Sequence, residues 1–551
     1  MKKNMRTTLV LLTLALALSV LAGCQKAPAE AKAASAPAAD KPVETSQPAA
    51  PESAASPKAI TLAMISAWDT LVPFESTNSF SIVLLDVIYD RLFYQDDDIY
   101  TPRLATGAET NADATEITIH LRDDAKWSDG EPVTASDVVF SAQIYASPAV
   151  NAVNKSVFSV FKGYGEGEDT LAVEALDGQT VRFQLKESTN LEYIIANVLS
   201  KLYIIPEHLL SGIPREQIRT ASFWNNPVSS GPGVLERVIS GERAEFSPNP
   251  YYYRWDANWD RFVIRVVPAG NLLAGLLNGE VDAFAGYLGG LTLSDWEMAR
   301  KEDSLIAESI PSRKYTLMTI NTSKPYLTEG VRHAINLAAN RQLIIDGLLG
   351  GQGLPAFGEL LPTSIYYNPV VEYEFNPDAA RALLEEEGWD SSRVLVMGVP
   401  TGNAIREQAA IIVQQNLLDV GIKAEIQTYD FATHVTKLYK GDYDFGFISS
   451  TSGGLDPSVA ADKYNPDSSS NYSQVTDRRL YDTAKQGKYA FTSEEKLESA
   501  LEYQNLLKEI APAAYLYFDN LLVARSKRVE GPYGAVNTGE TKDIWNWKVL
   551  E

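Results

Sequence analysis

The sequence predicts an α/β fold built from more than one lobe. Short apolar or alternating strand patterns, such as 59–65 and 116–122, are interleaved with segments of helical periodicity, such as 375–389. This alternation is typical of sheets that are covered by helices. About 490 residues follow position 58, which predicts two or three domains.

The body of the chain opens with strand and buried-helix patterns. AITLAMI at 59–65 is an apolar strand pattern, and SFSIVLLDVIYDRLF at 79–93 predicts a buried helix. EITIHLR at 116–122 alternates between apolar and polar residues, as a half-buried strand does. These segments are expected to supply the first strands and the first core helix.

A turn, a capped helix and a hairpin follow. In 126–146, Asp129-Gly130 predicts a turn, and Thr134 with Asp137 predicts a capping box at the start of a helix. The segments TLAVEA and TVRFQLK flank Asp177-Gly178 and predict a β-hairpin. This region is therefore expected to be a small α/β unit of its own.

The C-terminal half carries longer helical patterns that stop at glycine. Residues 328–351 have helical periodicity, and FNPDAARALLEEEGW at 375–389 starts with an N-capping Asn376 ahead of a proline. Residues 406–431 predict a helix, a glycine stop and a strand. DYDFGFISS at 442–450 predicts a strand that ends in small polar residues.

The N-terminus forms an export signal that ends at the single cysteine of the chain. Three basic residues precede an apolar run, 9–21, that is too short to span a bilayer comfortably. The ending Leu21-Ala22-Gly23-Cys24 resembles the bacterial lipobox, which implies cleavage before Cys24 and diacylglycerol on its sulfur. We therefore expect a lipoprotein signal peptide at 1–23 and an exported protein. Cys24 would anchor it to the outer face of the cell membrane, which is the periplasmic side in a Gram-negative host.

Residues 24–58 are expected to be a disordered tether between this anchor and the body. They are rich in Ala, Pro and Ser and contain no aromatic residue, so they cannot build a core. No later stretch reaches the roughly 20 apolar residues that a membrane-spanning helix needs.

Charge and residue counts disfavour several functional classes. The net charge of −23 argues against nucleic acid or an anionic membrane surface as a partner. One cysteine allows no disulfide within the chain, and the four histidines stand in no HExxH or HxH arrangement. No metal, no cofactor and no enzymatic activity are therefore expected.

Several ordered segments together carry a family resemblance that covers nearly all of residues 60–530. They include YDRLFYQDDDIYTPRLATGAE (89–109), ITIHLRDDAKWSDGEPVTASDVVFS (117–141), LLNGEVDAF (276–284), INTSKPYLTEGVRHAINLAANRQLII (320–345) and GDYDFGFISSTSGGLDP (441–457). In this order they resemble the bacterial extracellular solute-binding proteins of family 5, the oligopeptide-, dipeptide- and nickel-binding lipoproteins of ABC importers.

The resemblance implies a periplasmic-binding-protein-like two-lobed clamp, of class II and cluster C type, with an extra third domain. By similarity, lobe I comprises 59–101, 226–320 and 518–551, the extra domain 102–225, and lobe II 321–517. The chain would cross between the lobes near Ile320-Asn321 and Tyr517-Phe518. A ligand would be held between the lobes of a monomer and delivered to ABC permease and ATPase subunits.

The charged anchors of dipeptide-binding relatives have no counterpart here. In those relatives an Asp three residues before an Asp-Pro pair holds the peptide ammonium, and an Arg three residues after a strand-ending Pro holds the carboxylate. The matching positions are Gly453 and Asn403. Because charge-assisted hydrogen bonds are the stronger ones, a longer peptide held through its main chain, or a neutral or differently charged solute, fits better than a dipeptide.

Further ligand contacts are expected from residues near the strand ends and the hinge. Asp456 is either a partner for a cation or part of a structural turn, and Trp68 either stacks on the ligand or belongs to the core. The remaining candidates are polar residues after the strand at 442–450 and two residues near the first crossing, namely Ser450, Thr451, Ser452, Asn321 and Tyr326.

These expectations make the chain the lipid-anchored substrate-binding component of an ABC importer that captures peptide, most naturally an oligopeptide. Alternatives stay open: a binding protein for a nickel chelate, a sugar or an opine, or a ligand-sensing signalling receptor. A glycosidase is disfavoured because nothing in the sequence singles out a pair of catalytic carboxylates.

Overall fold

A computed structural model describes residues 58–76, 78–96, 99–284, 290–452, 463–531, 541 and 543–550. The signal peptide, Cys24, almost the whole predicted tether, Gly453 and Asp456 lie outside these residues. Residues 57–551 form one compact unit. Within the described ranges, the helices are all too short or too polar to cross a membrane.

The strands are distributed along the whole body of the chain. They are β1 (Ala59–Met64), β2 (Phe93–Asp96), β3 (Ile99–Pro102), β4 (Ala105–Thr110), β5 (Glu116–Leu121), β6 (Val173–Ala175), β7 (Thr180–Gln184), β8 (Gly233–Ile239), β9 (Arg243–Pro248), β10 (Arg261–Val266), β11 (Ala283–Phe284), β12 (Leu305–Ile310), β13 (Lys314–Ile320), β14 (Gly353–Pro355), β15 (Val394–Pro400), β16 (Lys423–Tyr429), β17 (Phe445–Thr451), β18 (Ala513–Asp519), β19 (Leu521–Ser526), β20 (Val529–Glu530) and β21 (Lys548–Val549).

The longer helices lie in the C-terminal half. The helices are α1 (Ser79–Ile88), α2 (Ala135–Ala146), α3 (Leu191–Ile194), α4 (Glu207–Leu210), α5 (Leu272–Leu277), α6 (Leu293–Ala299), α7 (Glu329–Ala338), α8 (Arg341–Leu348), α9 (Pro377–Glu386), α10 (Ala404–Asp419), α11 (Phe431–Tyr439), α12 (Arg479–Tyr489) and α13 (Ser493–Ile510). A π-helical turn, Ile195–Leu199, directly follows α3.

A five-stranded sheet forms the first lobe, with strand order β11-β1-β10-β9-β8. β1 pairs in parallel with β10 and β11, and β9 runs antiparallel to β10. Alternate residues of β1 point to opposite faces, so Ile60, Leu62 and Met64 enter the largest core while Ala63 packs with α5 and α6.

The extra domain contains a four-stranded antiparallel sheet of order β4-β5-β7-β6 against which α2 packs. The predicted hairpin is β6–β7, and Thr134 begins α2 with its backbone N–H 2.8 Å from the Asp137 carboxylate. The same carboxylate accepts from the buried Trp127 indole. The segment WSDGEPVTASD therefore contains the predicted capping box and adds the packing of Trp127 against it.

Lobe II is a six-stranded sheet of order β14-β18-β13-β17-β15-β16 between two layers of helices. One core unites one face of the sheet with α7 to α10. A second core unites the other face with α11, α12 and α13. The sheet is buried on both faces, which explains the continuous apolar run of β15.

Two predicted helices differ from the observed elements. The pattern at 79–93 forms a helix only to Ile88, because the extended Tyr89 ends it and Arg91 bridges to Tyr203 instead. The pattern at 328–351 forms two helices, since Asn340 interrupts it and caps α8 by accepting from the Leu343 N–H at 3.0 Å. The pairing of Arg91 with Tyr203 thus shortens the first predicted helix, and the cap at Asn340 divides the second, although the helical periodicity continues in both.

The chain changes sheet at two short segments. After β12, which pairs with β19, the chain passes through 311–313 into β13. It returns from β18 to β19 through Asn520. The expected crossings at 320–321 and 517–518 are therefore displaced. β13 pairs with β17 from Lys314↔Thr451 to Ile320↔Phe445, so the whole strand belongs to the second sheet. The domain boundaries otherwise stay a prediction.

Candidate functional site

The carboxyl ends of β15 and β17 lie beside each other at one edge of the six-stranded sheet, and we call this edge the crevice. The two strands are parallel neighbours, with Gly398 opposite Gly446. The chain continues from β15 into α10 on one face and from β17 toward α12 and α13 on the other. Adjacent parallel strands whose connections diverge in this way leave a ligand-binding crevice beyond their carboxyl ends.

This edge is also the one at which lobe I joins lobe II. β13 begins opposite Thr451, and β18 ends beside it at Asp519, so both crossings enter at the crevice edge. Ser312 Oγ donates to the Asp519 carbonyl at 2.7 Å and fixes the two crossings to each other. The crevice therefore lies on the side of lobe II from which the other lobe is reached.

The polar end of β17 presents its hydroxyls to different partners. Ser449 Oγ lies 2.9 Å from Thr316 Oγ1, and Ser450 hydrogen bonds to the Tyr315 phenol oxygen. Thr451 is exposed, and the Ser452 N–H donates to the Arg313 carbonyl at 3.0 Å. The structure thus places Ser450, Thr451 and Ser452 at the crevice, with Thr451 the most accessible; their contact with a ligand stays a prediction.

Asn403 lies at the same crevice, between β15 and α10. Its Oδ1 accepts from the Arg406 N–H at 3.0 Å, which makes it the N-cap of the helix. The Gly402 and Asn403 N–H groups both donate to Glu407, at 2.8 and 3.2 Å. The predicted contact of Asn403 with a ligand therefore has to use its Nδ2 group, because the oxygen is engaged in capping.

Arg406 is a site residue that the sequence reasoning missed. Its side chain is only 7% exposed, and Nη2 donates to the Pro400 carbonyl at 3.1 Å. Nε has no hydrogen-bond partner, and no carboxylate of the described residues forms an ion pair with the guanidinium. Burial lowers the pKa of Arg406, since it disfavours the charged form.

A sequence signal for Arg406 existed. A cation in the first turn of a helix faces the positive end of the helix dipole and is disfavoured there unless something compensates it. Arg406 lies in that turn. The turn directly follows a strand end at a topological switch point, and a ligand site is expected at such a point.

A buried charged network supports the crevice from the α11–α13 side. Glu359, 3% exposed, accepts from the Tyr503 phenol at 3.3 Å and from the Tyr515 phenol, and lies 3.5 Å from Lys463 Nζ. Lys463 in turn donates to Tyr315, the partner of Ser450. Burial alone would lower the pKa of Lys463, but Tyr315 and Glu359 more than offset it, so the pKa is raised and the ammonium stays charged.

Trp68 follows the carboxyl end of β1 in lobe I. Its side chain is partly buried and packs against the largest core, so it takes part in the packing without being enclosed. The neighbouring Asp69 fixes the loop by accepting from the Thr70 N–H at 2.9 Å and from the Ser81 hydroxyl. Stacking of Trp68 on a ligand stays a prediction.

Asn321 and Tyr326 lie at the opposite edge of the six-stranded sheet. Asn321 is 3% exposed, and its Nδ2 donates to the carbonyls of Gly441 and Tyr443 at 3.2 and 3.0 Å. Tyr326 donates to Asp444 at 2.6 Å. These two residues are about one strand length, roughly 20 Å, from the crevice, because the chain enters β13 at its other end. Their expected place at the hinge is therefore wrong.

The described residues hold no group of three or more His, Cys, Asp or Glu side chains arranged for a metal ion. The crevice combines hydroxyls, backbone groups and one buried guanidinium, which suits recognition of a polar organic molecule rather than coordination of a metal.

Comparison with known proteins agrees with this architecture. The oligopeptide-binding protein AppA of Bacillus subtilis is 24% identical over 437 residues, which cover 75% of this chain and 77% of the relative. The ABC transporter substrate-binding protein CtaP of Listeria monocytogenes has a similar structure, with a TM-score of 0.78 and 24% identity over 90% of this chain and 99% of the other. The structure of Bacillus subtilis AppA in complex with a nonapeptide has a TM-score of 0.65 at 21% identity, over 90% of this chain and all (100%) of that one.

These neighbours share the two-lobed clamp, which confirms the fold class that the sequence predicts. A family model described as bacterial extracellular solute-binding proteins, family 5, matches residues 100–472. The chain therefore belongs to this family of extracellular solute-binding proteins of transport systems.

Proposed function

We propose that the protein is the lipid-anchored substrate-binding component of an ABC importer, which captures an oligopeptide between its lobes and delivers it to a permease with ATPase subunits. Support for a peptide ligand comes from the relatives, among them an oligopeptide-binding protein and a structure that holds a nonapeptide. Support for the anchor comes from the lipobox-like sequence that ends at Cys24.

The observation that carries the choice of ligand is the buried guanidinium of Arg406, which has no ion-pair partner among the described residues. A buried cation is costly unless an anion pairs with it. Among the described residues no carboxylate lies at ion-pair distance from the guanidinium, and the negative charge of Glu407 offsets its burial only in part. A ligand carboxylate at the crevice supplies the missing charge. A peptide offers such a group at its C-terminus, and its main chain suits the hydroxyl and backbone groups of the crevice.

A first experiment identifies what the protein carries. The full-length protein is purified from a rich-medium culture and analysed by native mass spectrometry. A heterogeneous set of adducts at peptide masses supports the proposal. A single adduct of non-peptide mass, for example a nickel chelate, a sugar or an opine, overturns the peptide assignment.

A second experiment tests the role of Arg406. Binding of a nonapeptide mixture with free C-termini is compared with binding of the same mixture amidated at the C-termini. Hydrogen bonds to charged groups contribute about 1.5–3 kcal/mol, so the free acids should bind about tenfold or more tightly. Arg406→Met should abolish this preference and Arg406→Lys should retain part of it.

Arg381→Met is the matched control, because Arg381 is half exposed on α9 and already paired with Asp378. It should leave the preference unchanged. If the wild-type protein binds both mixtures equally, Arg406 does not bind the C-terminal carboxylate.

The anchor is tested separately through Cys24. Cys24→Ala should move the protein from the membrane fraction to the soluble extracellular fraction, and intact-mass analysis of the wild type should show the added diacylglycerol. A wild-type protein of unmodified mass would contradict lipidation.

A further inference from the structure

Two regions about 300 residues apart in sequence touch across the lobes. One is Asn190–Tyr193 at the start of α3, and the other is Lys488–Lys496, which joins α12 to α13. Asn190 Nδ2 donates to the Ala490 carbonyl, and Lys496 Nζ lies 3.2 Å from Glu192 Oε2.

Aromatic rings add to this contact. The ring centroids of Tyr193 and Tyr489 are 6.1 Å apart, and Lys488 Nζ lies 5.1 Å from the Tyr193 centroid. Both regions thus contribute polar, charged and aromatic groups to the same small interface.

The two regions belong to different halves of the clamp. Asn190–Tyr193 is part of the extra domain, because the Thr189 N–H donates to the Ala114 carbonyl beside β4 and Leu191 packs on the largest core. The connection belongs to lobe II, because α12 and α13 on either side of it pack in the second core of that lobe. Within the described residues, the chain passes between these halves only through 311–313 and Asn520.

A contact that lies away from both crossings must break when the lobes rotate apart about them. The contact is also suited to being broken. Glu192 is 57% exposed, so its pair with Lys496 is of the weak, water-screened kind. A cavity of about 170 Å³ lies beside the contact, lined by Thr110, Thr189, Asn190, Leu191, Phe491 and Thr492. The interface is thus polar and incompletely packed, unlike a permanent domain core.

We propose that Asn190–Tyr193 and Lys488–Lys496 form a closure latch. The latch forms only when the clamp closes, stabilises the closed state and slows release of the ligand. A ligand shifts the equilibrium through its preference for the closed state, and the latch adds a ligand-independent contribution to the same state. The effect on ligand release rests on the proposed function, whereas the closure itself does not.

The test uses charge reversals in the full-length protein. Glu192→Lys and Lys496→Glu each replace the attraction with a repulsion, and the double variant restores it with the charges exchanged. Asn190→Asp removes the donor to Ala490 but keeps the oxygen that accepts from the Glu192 N–H at 2.7 Å, so α3 remains capped. Glu386→Lys, at an exposed position in the last turn of α9 and outside both latch regions, is the control for net charge.

Two measurements are made on each variant. Small-angle X-ray scattering and hydrogen exchange of 190–193 and 488–493 report closure without added ligand, and stopped-flow dissociation of a labelled nonapeptide mixture reports release. The single reversals should open the ligand-free protein and accelerate release about two- to fivefold, the range expected for an exposed ion pair. The exchanged pair should return both readouts toward wild type, and Glu386→Lys should change neither.

The latch is overturned if the single reversals leave scattering, exchange and release unchanged, or if the exchanged pair behaves like the sum of the single variants. If the wild-type protein binds no peptide, the proposed function fails, but the scattering and exchange data still decide whether the latch exists.

Discussion

The Lys314 ammonium lies 2.6 Å from the Asp519 carboxylate and joins the first residue of β13 to the last residue of β18. These two residues flank the segments through which the chain passes between the sheets, so the salt bridge holds the two crossings side by side. Asp519 also receives a hydrogen bond from Ser312 at its carbonyl, which ties the crossing itself to the strand end.

The first prediction concerns the energy of this pair. The Lys314 side chain is 46% exposed, so water screens the attraction and the coupling should be about 0.5 kcal/mol. A double-mutant cycle with Lys314→Met and Asp519→Asn, measured by urea denaturation, gives that coupling. A coupling above about 2 kcal/mol would show that the ion pair is shielded from water in the folded protein.

A second prediction concerns the close approach of α11 and its following loop to β15. A Cβ on Gly398 would lie 2.4 Å from the ring of Tyr443, which is buried and stacks on His434 with centroids 5.4 Å apart. Since the ring has no room to move, Gly398→Ala should cost about 1–3 kcal/mol of unfolding free energy. Gly107→Ala is the control, because no atom lies within 4 Å of its added Cβ. Equal denaturation midpoints for the two variants would contradict this packing.

A third prediction concerns the ion pair beneath the crevice. Glu359→Leu leaves Lys463 without its carboxylate and removes the acceptor that Tyr503 and Tyr515 share, so it should cost about 3–5 kcal/mol. Adding Lys463→Met removes the unpaired cation and should recover part of that loss. Chemical denaturation of the single and double variants measures both effects. A double variant as unstable as the sum of the single ones would show that the two groups act independently.

Local signals in the sequence predicted most of the elements. Asn376 followed by Pro377 begins α9, and the glycine stop at Gly421 separates α10 from β16. Both were predictable because helix caps and left-handed glycines depend on nearby residues alone. The helix at 79–93 was predicted too long, since the pairing of Arg91 with Tyr203 involves a residue far along the chain. The family resemblance supplied the clamp, which periodicity could not.

The candidate site residues stay a prediction, but the structure brings several of them to one edge of the sheet. Asn403, which the family resemblance indicated, and Ser450 to Ser452 follow neighbouring parallel strands, and parallel strands bring such ends together. Asn321 was misplaced because it follows β13, which runs antiparallel to β17 and ends at the other edge. Arg406 was missed because its burial, and the absence of an ion-pair partner for it among the described residues, are properties of the packed structure.

The fourth prediction concerns pH and the buried His434. This side chain is fully enclosed, and its Nε2 donates to the Phe447 carbonyl at 2.8 Å, while Nδ1 has no partner among the described residues. Burial lowers the pKa of His434 from 6.5 to about 4; the Phe447 carbonyl partly opposes this, and the nearby charge of Arg406 adds to it. The folded state thus favours the neutral imidazole more than the unfolded state does.

The sign of the pH effect follows from this difference. Above pH 6.5 both states hold a neutral histidine, so its contribution to stability is complete. As the pH falls from 6.5 toward 4, the unfolded state takes up the proton first, and the unfolding free energy decreases by about 3 kcal/mol in total. Urea denaturation at pH 7.5, 6.5, 5.5 and 4.5 should show this decrease in the wild type but not in His434→Gln. His120→Gln, at an exposed position on β5, should behave like the wild type.

Parallel stability curves for wild type and His434→Gln would contradict this prediction. They would mean that the imidazole is accessible to protons in the folded state, so that the contact of α11 with β17 has to open at acid pH.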